Sequence, residues 1–280
     1  MPELPEVETV RSGLAPVLEG KRIKRLIVRR KNLRFDFPDN FAKRLAGVQI
    51  LKLSRRAKYL LFELDSGETL LSHLGMSGSF LALATGETMP KDRKTKHDHV
   101  VFEMVDGVLV IYNDPRRFGF MDLFATHEID ECKFLQHLGP EPVDNQLSAV
   151  DLKLALSKRK SPIKTALLDQ KIIAGLGNIY VCEALFRANI HPAVRSCDLS
   201  LEQSQVLVEH IRQVIRQAIE AGGSSLNDFT NADGDLGYFQ HSFDVYDQAG
   251  KQCKTSECTA KIERIVQGGR SSFYCPLCQK

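Results

Sequence analysis

The sequence lacks several features that would narrow its class. It contains no tryptophan, which by itself excludes nothing, and no run of about twenty apolar residues that would span a membrane. Its N-terminus has no charged segment followed by an apolar one, so no secretory signal is indicated and an intracellular protein is expected. The formal net charge is only +3, which permits a nucleic-acid partner without requiring one.

Cysteine is also sparse, except at the end of the chain. Seven cysteines are an odd number in a chain with no export signal, so a disulfide framework is not expected. Four of them, Cys253, Cys258, Cys275 and Cys278, form two pairs separated by the length of a β-hairpin. Two such thiolate pairs are typical of a tetrahedral zinc site. Because four sulfur ligands leave no position for water, we predict one structural Zn(II) ion.

Periodicity predicts a β-rich first half. Apolar residues recur at helical spacing over 5–18. The turn sequences Asp65-Ser66-Gly67 and Asp106-Gly107 then indicate antiparallel hairpins. The alternating, apolar segments around them are 22–29, 48–64, 69–83 and 99–112. Residues 1–134 are therefore predicted to form a β-sandwich with one leading helix.

Helical periodicity replaces this pattern after a Gly-Pro-Glu-Pro linker. Ser200 and Gln203 open the clearest helix as a capping box, and a polar, glycine-containing segment over 224–240 has the composition of a loop. The fold class is thus expected to be α+β and multidomain. The predicted divisions are a β-sandwich domain over 1–134, a linker over 135–147, a helical domain over 148–240 and a cysteine-bearing tail over 244–280.

The first six residues contain a candidate nucleophile. Removal of the initiator methionine would leave Pro2 as a secondary amine, and α-amino groups have a pKa of about 7.7 to 8.0. Such an amine can attack an electrophilic carbon and form an iminium, as lysine does in Schiff-base enzymes. The alternative is a plain helix start, because Pro5 suits the first turn and Glu3 and Glu6 suit its dipole. From these residues alone both interpretations stay open.

Two further motifs suit contacts with phosphate. Asn178 follows a glycine-rich turn and is predicted to cap a helix from Ile179, where backbone N–H groups favour an anion. Lys160 and Lys164 precede it and favour phosphate, although a solvated basic face is the alternative. In the tail, a Gly-Gly turn is predicted to place Arg270 at the tip of a hairpin, where a solvated charge is the alternative.

Three short sequences of the β-rich half carry other candidate side chains. Lys58 is either an acid or base in a cleft or a charge on an edge strand. Met76 and Phe118 suit wedges into a base stack, with Arg116 on phosphate, whereas packing in a core is the usual role of such residues. His97 suits phosphate or a metal, with an exposed loop histidine as the alternative.

In this order, the motifs resemble the formamidopyrimidine-DNA glycosylase family from residue 2 to residue 278. They are Met-Pro-Glu-Leu-Pro-Glu, Arg-Arg-Ala-Lys, His-Leu-Gly-Met-Ser-Gly, Asp-Pro-Arg-Arg-Phe-Gly, Gly-Leu-Gly-Asn-Ile-Tyr and the four-cysteine tail. The resemblance implies a monomeric, cytoplasmic and nucleoid-associated repair enzyme. It would excise 8-oxoguanine and formamidopyrimidines from double-stranded DNA and nick abasic sites by β,δ-elimination. The implied fold is a β-sandwich, a helix-two-turn-helix domain with a lesion loop, and a zinc finger.

The resemblance also implies roles for individual residues. Pro2 would be the nucleophile at the sugar C1′, and Glu3 the acid/base that helps to open the sugar and expel the base. Lys58 would donate a proton in β-elimination. Arg270 would assist δ-elimination, and we expect it to clamp phosphate first, since arginine is a poor proton donor. The implied contacts with DNA are His97, Arg116, Lys160, Lys164 and Asn178, with Met76, Arg116 and Phe118 filling the gap left by the flipped nucleotide.

Two alternatives remain open at this stage. One is an endonuclease VIII-like glycosylase for oxidised pyrimidines, a branch that typically begins Met-Pro-Glu-Gly-Pro. Leu4 and the loops of Met76 and Phe118 favour the purine branch instead. The other is a non-catalytic, zinc-dependent protein that binds damaged DNA, which the intact set of candidate catalytic residues disfavours.

The four residues between the first two cysteines depart from a two-residue spacing that also occurs in the family.

Overall fold

The structure, a computed structural model, describes residues 2–89, 95–143, 146–224 and 238–280. Two compact units are present: the described parts of Met1–Gln136 and Ala221–Tyr238 form the first, and those of His137–Glu220 and Phe239–Lys280 form the second. The first contains α1 (Leu4–Leu18), β1 (Ile23–Val28), α2 (Phe41–Leu45), β2 (Ile50–Arg56), β3 (Tyr59–Leu64), β4 (Glu68–His73), β5 (Ser79–Leu83), β6 (Asp98–Met104), β7 (Leu109–Asn113) and β8 (Phe120–Ala125). The second contains α3 (Ala149–Leu156), α4 (Ile163–Leu167), α5 (Asn178–Arg187), α6 (Leu201–Glu220), β9 (Glu263–Gln267) and β10 (Arg270–Tyr274). None of the described helices is long and apolar enough to cross a membrane.

The first unit is built on two antiparallel four-stranded sheets. One has the strand order β1-β6-β7-β5 and the other β2-β3-β4-β8. Their shared core includes Phe62 of β3 and Phe102 of β6, whose rings stack with centroids 6.3 Å apart. Leu14 of α1 joins the same cluster and is fully buried. The predicted β-sandwich with a leading helix is therefore confirmed.

The turns explain where the predicted strands divide. Asp65-Ser66-Gly67 joins β3 to β4 and Asp106-Gly107 joins β6 to β7, as their sequences indicated. The segments predicted over 48–64 and 69–83 each form two strands instead. The first divides at Ala57 and Lys58, where Ala57 adopts a left-handed φ of 52°. Alanine is not a residue that signals this conformation, so the sequence contained no warning of the turn.

The start of α1 follows from its sequence. Pro5 lies in the first turn, where no backbone donor is needed, and Glu3 occupies the N-cap position. The backbone N–H of Glu3 donates to Glu6 Oε2 at 2.7 Å, completing a capping box. Val7 and Val10 lie on the buried face of the helix, so burial and capping agree on where it begins.

The second unit is helical and ends in a β-hairpin. Ser200 and Gln203 cap α6 reciprocally, with N···O distances of 2.9 and 3.1 Å, as predicted. The predicted cap of α5 is displaced by one residue: Gly177 holds the cap position and Asn178 begins the helix. The amide of Asn178 donates instead to the carbonyl of Ser271, so a tertiary contact replaces the local one.

Candidate active site and zinc centre

The N-terminal residues are held in place inside the first unit. Pro2 and Glu3 are both buried, and Glu3 is only 2% exposed. Glu6 accepts the Glu3 N–H through one oxygen and both the N–H and Oγ–H of Ser224 through the other, at 2.8 and 3.0 Å. Glu6 thus links the start of α1 to the residue that precedes 225–237. Most of the predicted lesion loop and the methionine ahead of Pro2 lie outside the described residues.

Lys58 lies in the two-residue turn between β2 and β3 and is 8% exposed. Arg55 secures this turn by donating to the carbonyl of Ala57 at 2.9 Å and to the carboxylate of Glu8 at 2.8 Å. Since Glu8 belongs to α1, the turn is tied to the helix that begins just after Glu3. The fold therefore places a buried amine and a buried carboxylate in the same unit, each on a restrained backbone.

His73 is a feature of the site that sequence reasoning treated only as part of a motif. Its Nδ1 accepts the backbone N–H of Gly75 at 3.0 Å, which leaves the proton of the neutral ring on Nε2. Burial, with the positive charges of Lys58 and Arg34, lowers the pKa of His73 to about 4. Stacking on Phe120, with ring centroids 5.3 Å apart, contributes to that burial. A neutral imidazole therefore adjoins Lys58 at physiological pH.

The two candidate wedge loops pack against each other. A side chain at Gly75 would overlap the backbone of Phe118 and Gly119, so the loops approach closely because Gly75 has none. Phe118 is 46% exposed, and the Arg116 guanidinium lies 5.1 Å from its ring centroid. Met76 lies in the adjoining loop and is partly exposed. Arg116 and Phe118 are thus in contact and accessible, and Met76 lies in the loop that packs against theirs.

A buried carboxylate holds these two loops together. Asp114 is fully buried and accepts Ser77 Oγ–H at 2.7 Å and the backbone N–H of Gly119 at 2.8 Å. Ser77 Oγ in turn accepts the backbone N–H of Arg116 at 3.1 Å. His99 Nε2 lies 2.9 Å from the Asp114 carbonyl oxygen, and burial lowers the pKa of this histidine. This role of Asp114 was not predicted, because an aspartate before proline indicates only a turn.

The predicted contacts with phosphate occupy different environments. His97 ends a short 3-10 turn and is partly exposed, and Lys160 is exposed beyond the end of α3. Lys164, by contrast, is fully buried, and its Nζ lies 3.3 Å from the carbonyl oxygen of Ser271. Asn178 Nδ2 donates to that same oxygen at 3.0 Å. A role in binding DNA stays a prediction for all four residues.

Arg270 lies at the turn of the C-terminal hairpin. Gly268 and Gly269 connect β9 to β10 with positive φ angles of 55° and 74°, as a tight two-residue turn requires. Arg270 is the first residue of β10, pairs with Gln267 and is exposed. The predicted hairpin is therefore present, but the two glycines form its tip and Arg270 follows the tip as the first residue of the next strand.

Another unpredicted carboxylate joins the finger to the helical domain. Glu183 on α5 is fully buried and accepts three consecutive backbone N–H groups, those of Asp244, Val245 and Tyr246, at 2.9, 3.0 and 2.8 Å. Burial raises the pKa of Glu183, and these hydrogen bonds oppose that rise. Nothing in the helical pattern around Glu183 signalled a partner about sixty residues away.

The four tail cysteines converge on one point. Their sulfur atoms all lie within 4.8 Å of one another, and the Sγ···Sγ separations are 3.9, 3.6 and 3.5 Å for Cys253–Cys278, Cys258–Cys275 and Cys258–Cys278. A tetrahedron with Zn–S bonds of about 2.3 Å has edges of roughly 3.8 Å. The donor set and its dimensions therefore fit a closed, four-thiolate zinc site, and the longer spacing of the first pair does not disturb it.

Comparison with protein families is consistent over most of the chain. The model for the formamidopyrimidine-DNA glycosylase N-terminal domain matches residues 1–121, and that for its H2TH domain matches residues 138–230. The chain belongs to the formamidopyrimidine-DNA glycosylase family. A zinc finger found in this family and in isoleucyl-tRNA synthetases matches residues 250–280, which makes the cysteine cluster the structural zinc site of the family.

Individual relatives agree with the family over their whole lengths. The formamidopyrimidine-DNA glycosylases of Roseobacter denitrificans and Ruegeria pomeroyi are 55% and 54% identical to this chain, with both sequences covered completely. A Lactococcus lactis Fpg solved with DNA containing an abasic site is 34% identical, with a TM-score of 0.88 and complete coverage of both chains. A mutant of that protein, solved with DNA containing Fapy-dG, has a TM-score of 0.89 at the same identity and coverage.

Proposed function

We propose that this chain is a bifunctional DNA glycosylase and abasic-site lyase that excises oxidised purines from duplex DNA. Membership of the formamidopyrimidine-DNA glycosylase family supports the activity, and the complexes of a relative with DNA containing an abasic site or Fapy-dG support the substrate class. The observation that carries the proposal is the start of α1, where Pro2 directly precedes the buried carboxylate of Glu3. As an enzyme of chromosomal DNA, it would act at the nucleoid, in the cytoplasm.

In the first step, the base is lost and a covalent intermediate forms. A base stacked in a duplex is out of reach, so the damaged nucleotide must first be extruded. The lone pair of the Pro2 nitrogen then bonds to C1′, and the bond between C1′ and the base breaks with its electron pair on the base. The N–H proton of the amine passes to the departing base. Glu3 supplies a proton as the sugar ring opens, and the nitrogen becomes a cationic iminium.

In the second step, the iminium makes cleavage of the strand possible. Its positive charge acidifies the C2′ protons, so a base can remove one as the bond between C3′ and oxygen breaks. Lys58 would be the proton donor in this β-elimination. Arg270 would hold the phosphate that departs in the following δ-elimination at C5′, since its guanidinium binds phosphate strongly but releases protons poorly.

Other residues would hold the bent, opened duplex. Met76, Arg116 and Phe118 would fill the space left by the extruded nucleotide, an arrangement consistent with their proximity and exposure. The proposed contacts with the backbone are His97, Arg116, Lys160 and Asn178, whereas the fully buried Lys164 is considered separately below. One zinc ion on the four cysteines would rigidify the finger without taking part in the chemistry. We assign catalysis to residues 1–134, DNA binding to 148–240 and the finger to 244–280.

Borohydride trapping tests this proposal. Reduction of the iminium should link the processed chain covalently to a duplex that contains 8-oxoguanine. Pro2→Gly should lower the yield of this adduct, because glycine replaces the secondary amine with a less nucleophilic primary amine. Pro16→Gly is the matched control, because Pro16 is an exposed proline of the same helix. An adduct of equal yield with Pro2→Gly would refute the role of Pro2. No adduct with the unsubstituted chain would instead indicate a non-catalytic DNA-binding protein.

Competition separates the two substrate classes. Unlabelled duplex containing 8-oxoguanine should inhibit cleavage of a labelled Fapy-containing duplex more strongly than duplex containing an oxidised pyrimidine. The reverse order would assign the chain to the pyrimidine-preferring activity. Cleavage of an abasic-site duplex should remain in either case, since that step follows loss of the base.

A further inference from the structure

Lys164 is in an unusual position for a lysine. It belongs to the short helix α4, and none of its surface is exposed to solvent. Lysine is almost never fully buried unless its ammonium group has a specific partner. Here Nζ lies 3.3 Å from the carbonyl oxygen of Ser271 in β10, 107 residues later in the chain. The residue therefore joins the helical domain to the finger from inside the unit.

The surroundings of Lys164 hold both arms of the finger turn. On the C-terminal side, the Ser271 carbonyl also accepts Asn178 Nδ2–H at 3.0 Å. On the N-terminal side, the Pro192 carbonyl accepts the backbone N–H of Lys164 at 3.3 Å and Nε2–H of Gln267 at 3.1 Å. The side chain of Lys164 therefore shares the Ser271 carbonyl with Asn178, on the C-terminal side of the turn. Its backbone N–H shares the Pro192 carbonyl with Gln267, on the N-terminal side of the turn.

The residue between these two anchors is Arg270. Ser271 follows it directly, and Gln267 is its partner across the hairpin. The turn itself is made of two glycines, which restrict the backbone least, so the direction of Arg270 depends on the anchors rather than on the turn. The guanidinium group of Arg270 is exposed. Within this unit, the fold therefore restrains the backbone end of Arg270 and leaves its charged end in solvent.

We propose that Lys164 is a positioning residue that aims Arg270 through the Ser271 carbonyl, rather than a direct ligand of phosphate. Burial of the ammonium group inside the unit keeps it from the surface where a phosphate would bind. Its loss would let the Arg270 end of β10 shift, and small misplacements of a group that binds a reacting phosphate are costly. This inference rests on the proposed role of Arg270 in binding phosphate and in δ-elimination.

The test compares Lys164→Met with Lys164→Gln, Arg270→Ala and the double variant Lys164→Met/Arg270→Ala. Methionine fills the same space without leaving a buried charge, and glutamine keeps a hydrogen-bond donor. Lys153→Met is the matched control, since Lys153 also donates to a backbone carbonyl of this unit, that of Cys197 at 3.0 Å, but not to the finger. Zinc content and melting temperature establish that each variant is folded.

The first readout is the ratio of δ- to β-elimination products from a duplex with an abasic site. We expect Lys164→Met to lower the rate of δ-elimination on the order of tenfold, as a displaced arginine would. Borohydride trapping and β-elimination should change little, and Lys164→Gln should fall between Lys164→Met and the unsubstituted chain. In the Arg270→Ala background, Lys164→Met should add nothing, because both changes remove the same interaction.

The second readout separates an indirect role from direct contact. The slope of the logarithm of the DNA-binding constant against the logarithm of salt concentration is measured with a duplex that contains a stable abasic-site analogue. This negative slope should become smaller in magnitude by about 0.9 in Lys164→Met and by the same amount in Arg270→Ala. Slopes that add in the double variant would show that Lys164 binds phosphate itself and would overturn the inference. It would also be overturned by an unchanged product ratio, or by loss of zinc and folding in both Lys164 variants.

Failure of the inference is distinguishable from failure of the proposed function. If the unsubstituted chain formed no trapped adduct and no nicked product, the proposed function would be wrong. If the unsubstituted chain were active and Lys164→Met matched Lys153→Met in every readout, only the role of Lys164 would be refuted.

Discussion

Acidification should destabilise the first unit in part through His73. Burial, with the charges of Lys58 and Arg34, lowers the pKa of His73 to about 4 from the 6.5 of an unperturbed imidazole. The unfolded chain therefore binds this proton more tightly than the folded one. The stabilising effect of the neutral ring is complete above pH 6.5 and is lost as the pH falls towards 4. Between pH 7 and pH 5, linkage gives a loss of about 2 kcal/mol in the free energy of unfolding.

The assay is urea unfolding followed by circular dichroism at pH 7 and pH 5, in the zinc-loaded protein. His73→Asn is the informative variant, because an asparagine oxygen can accept the Gly75 N–H in place of Nδ1 but does not titrate. Its loss of stability between the two pH values should be about 2 kcal/mol smaller than that of the unsubstituted chain. Titration of the zinc thiolates is common to both proteins and cancels in this difference.

His127→Asn provides the control. The His127 side chain is 82% exposed, so its substitution should leave the pH dependence unchanged. If His73→Asn lost as much stability as the unsubstituted chain, the imidazole would titrate alike in both states. The neutral ring assigned beside Lys58 would then be wrong.

The remaining predictions concern the wedge loops and the finger. Gly119→Ala should destabilise the first unit by about 3 kcal/mol, measured by thermal unfolding, because the added methyl overlaps Tyr112 Oη and lies 2.7 Å from the His73 carbonyl. Gly250→Ala, with open space around it, should cost about 1 kcal/mol, and equal losses would refute the overlap. Chelation of zinc, or Cys258→Ser, should weaken binding to duplex DNA and leave the β-sandwich folded. A binding titration measures the first effect and circular dichroism the second, and undiminished binding would contradict the prediction.

Much of the fold could be predicted because its signals are local. The helical period over α1, the Asp-Gly turns and the capping box of Ser200 and Gln203 all involve residues within a few positions of one another. The prediction was weaker where a local signal was missing. Ala57 turns the chain with a left-handed φ although its residue type favours no turn, and α2 and β8 lay in segments without a clear period.

The candidate site divides in the same way. Pro2, Glu3, Lys58 and Arg270 could be named from motifs, since a motif records which chemical groups are present and in what order. Their supports could not be named, because a carboxylate such as Glu6 carries no sign in the sequence of its partner. That partner, Ser224, is 218 residues away.

The sequence by itself determined the chemistry available to this protein. A secondary amine next to a carboxylate, two close-spaced thiol pairs and a glycine turn ahead of an arginine are properties of short stretches of chain, and local geometry preserves them in the fold. Only the tertiary structure decided how those groups are held. The burial of Lys164 against the Ser271 carbonyl and the three backbone N–H groups on Glu183 depend on which surfaces pack together, and packing joins residues that are far apart in the sequence.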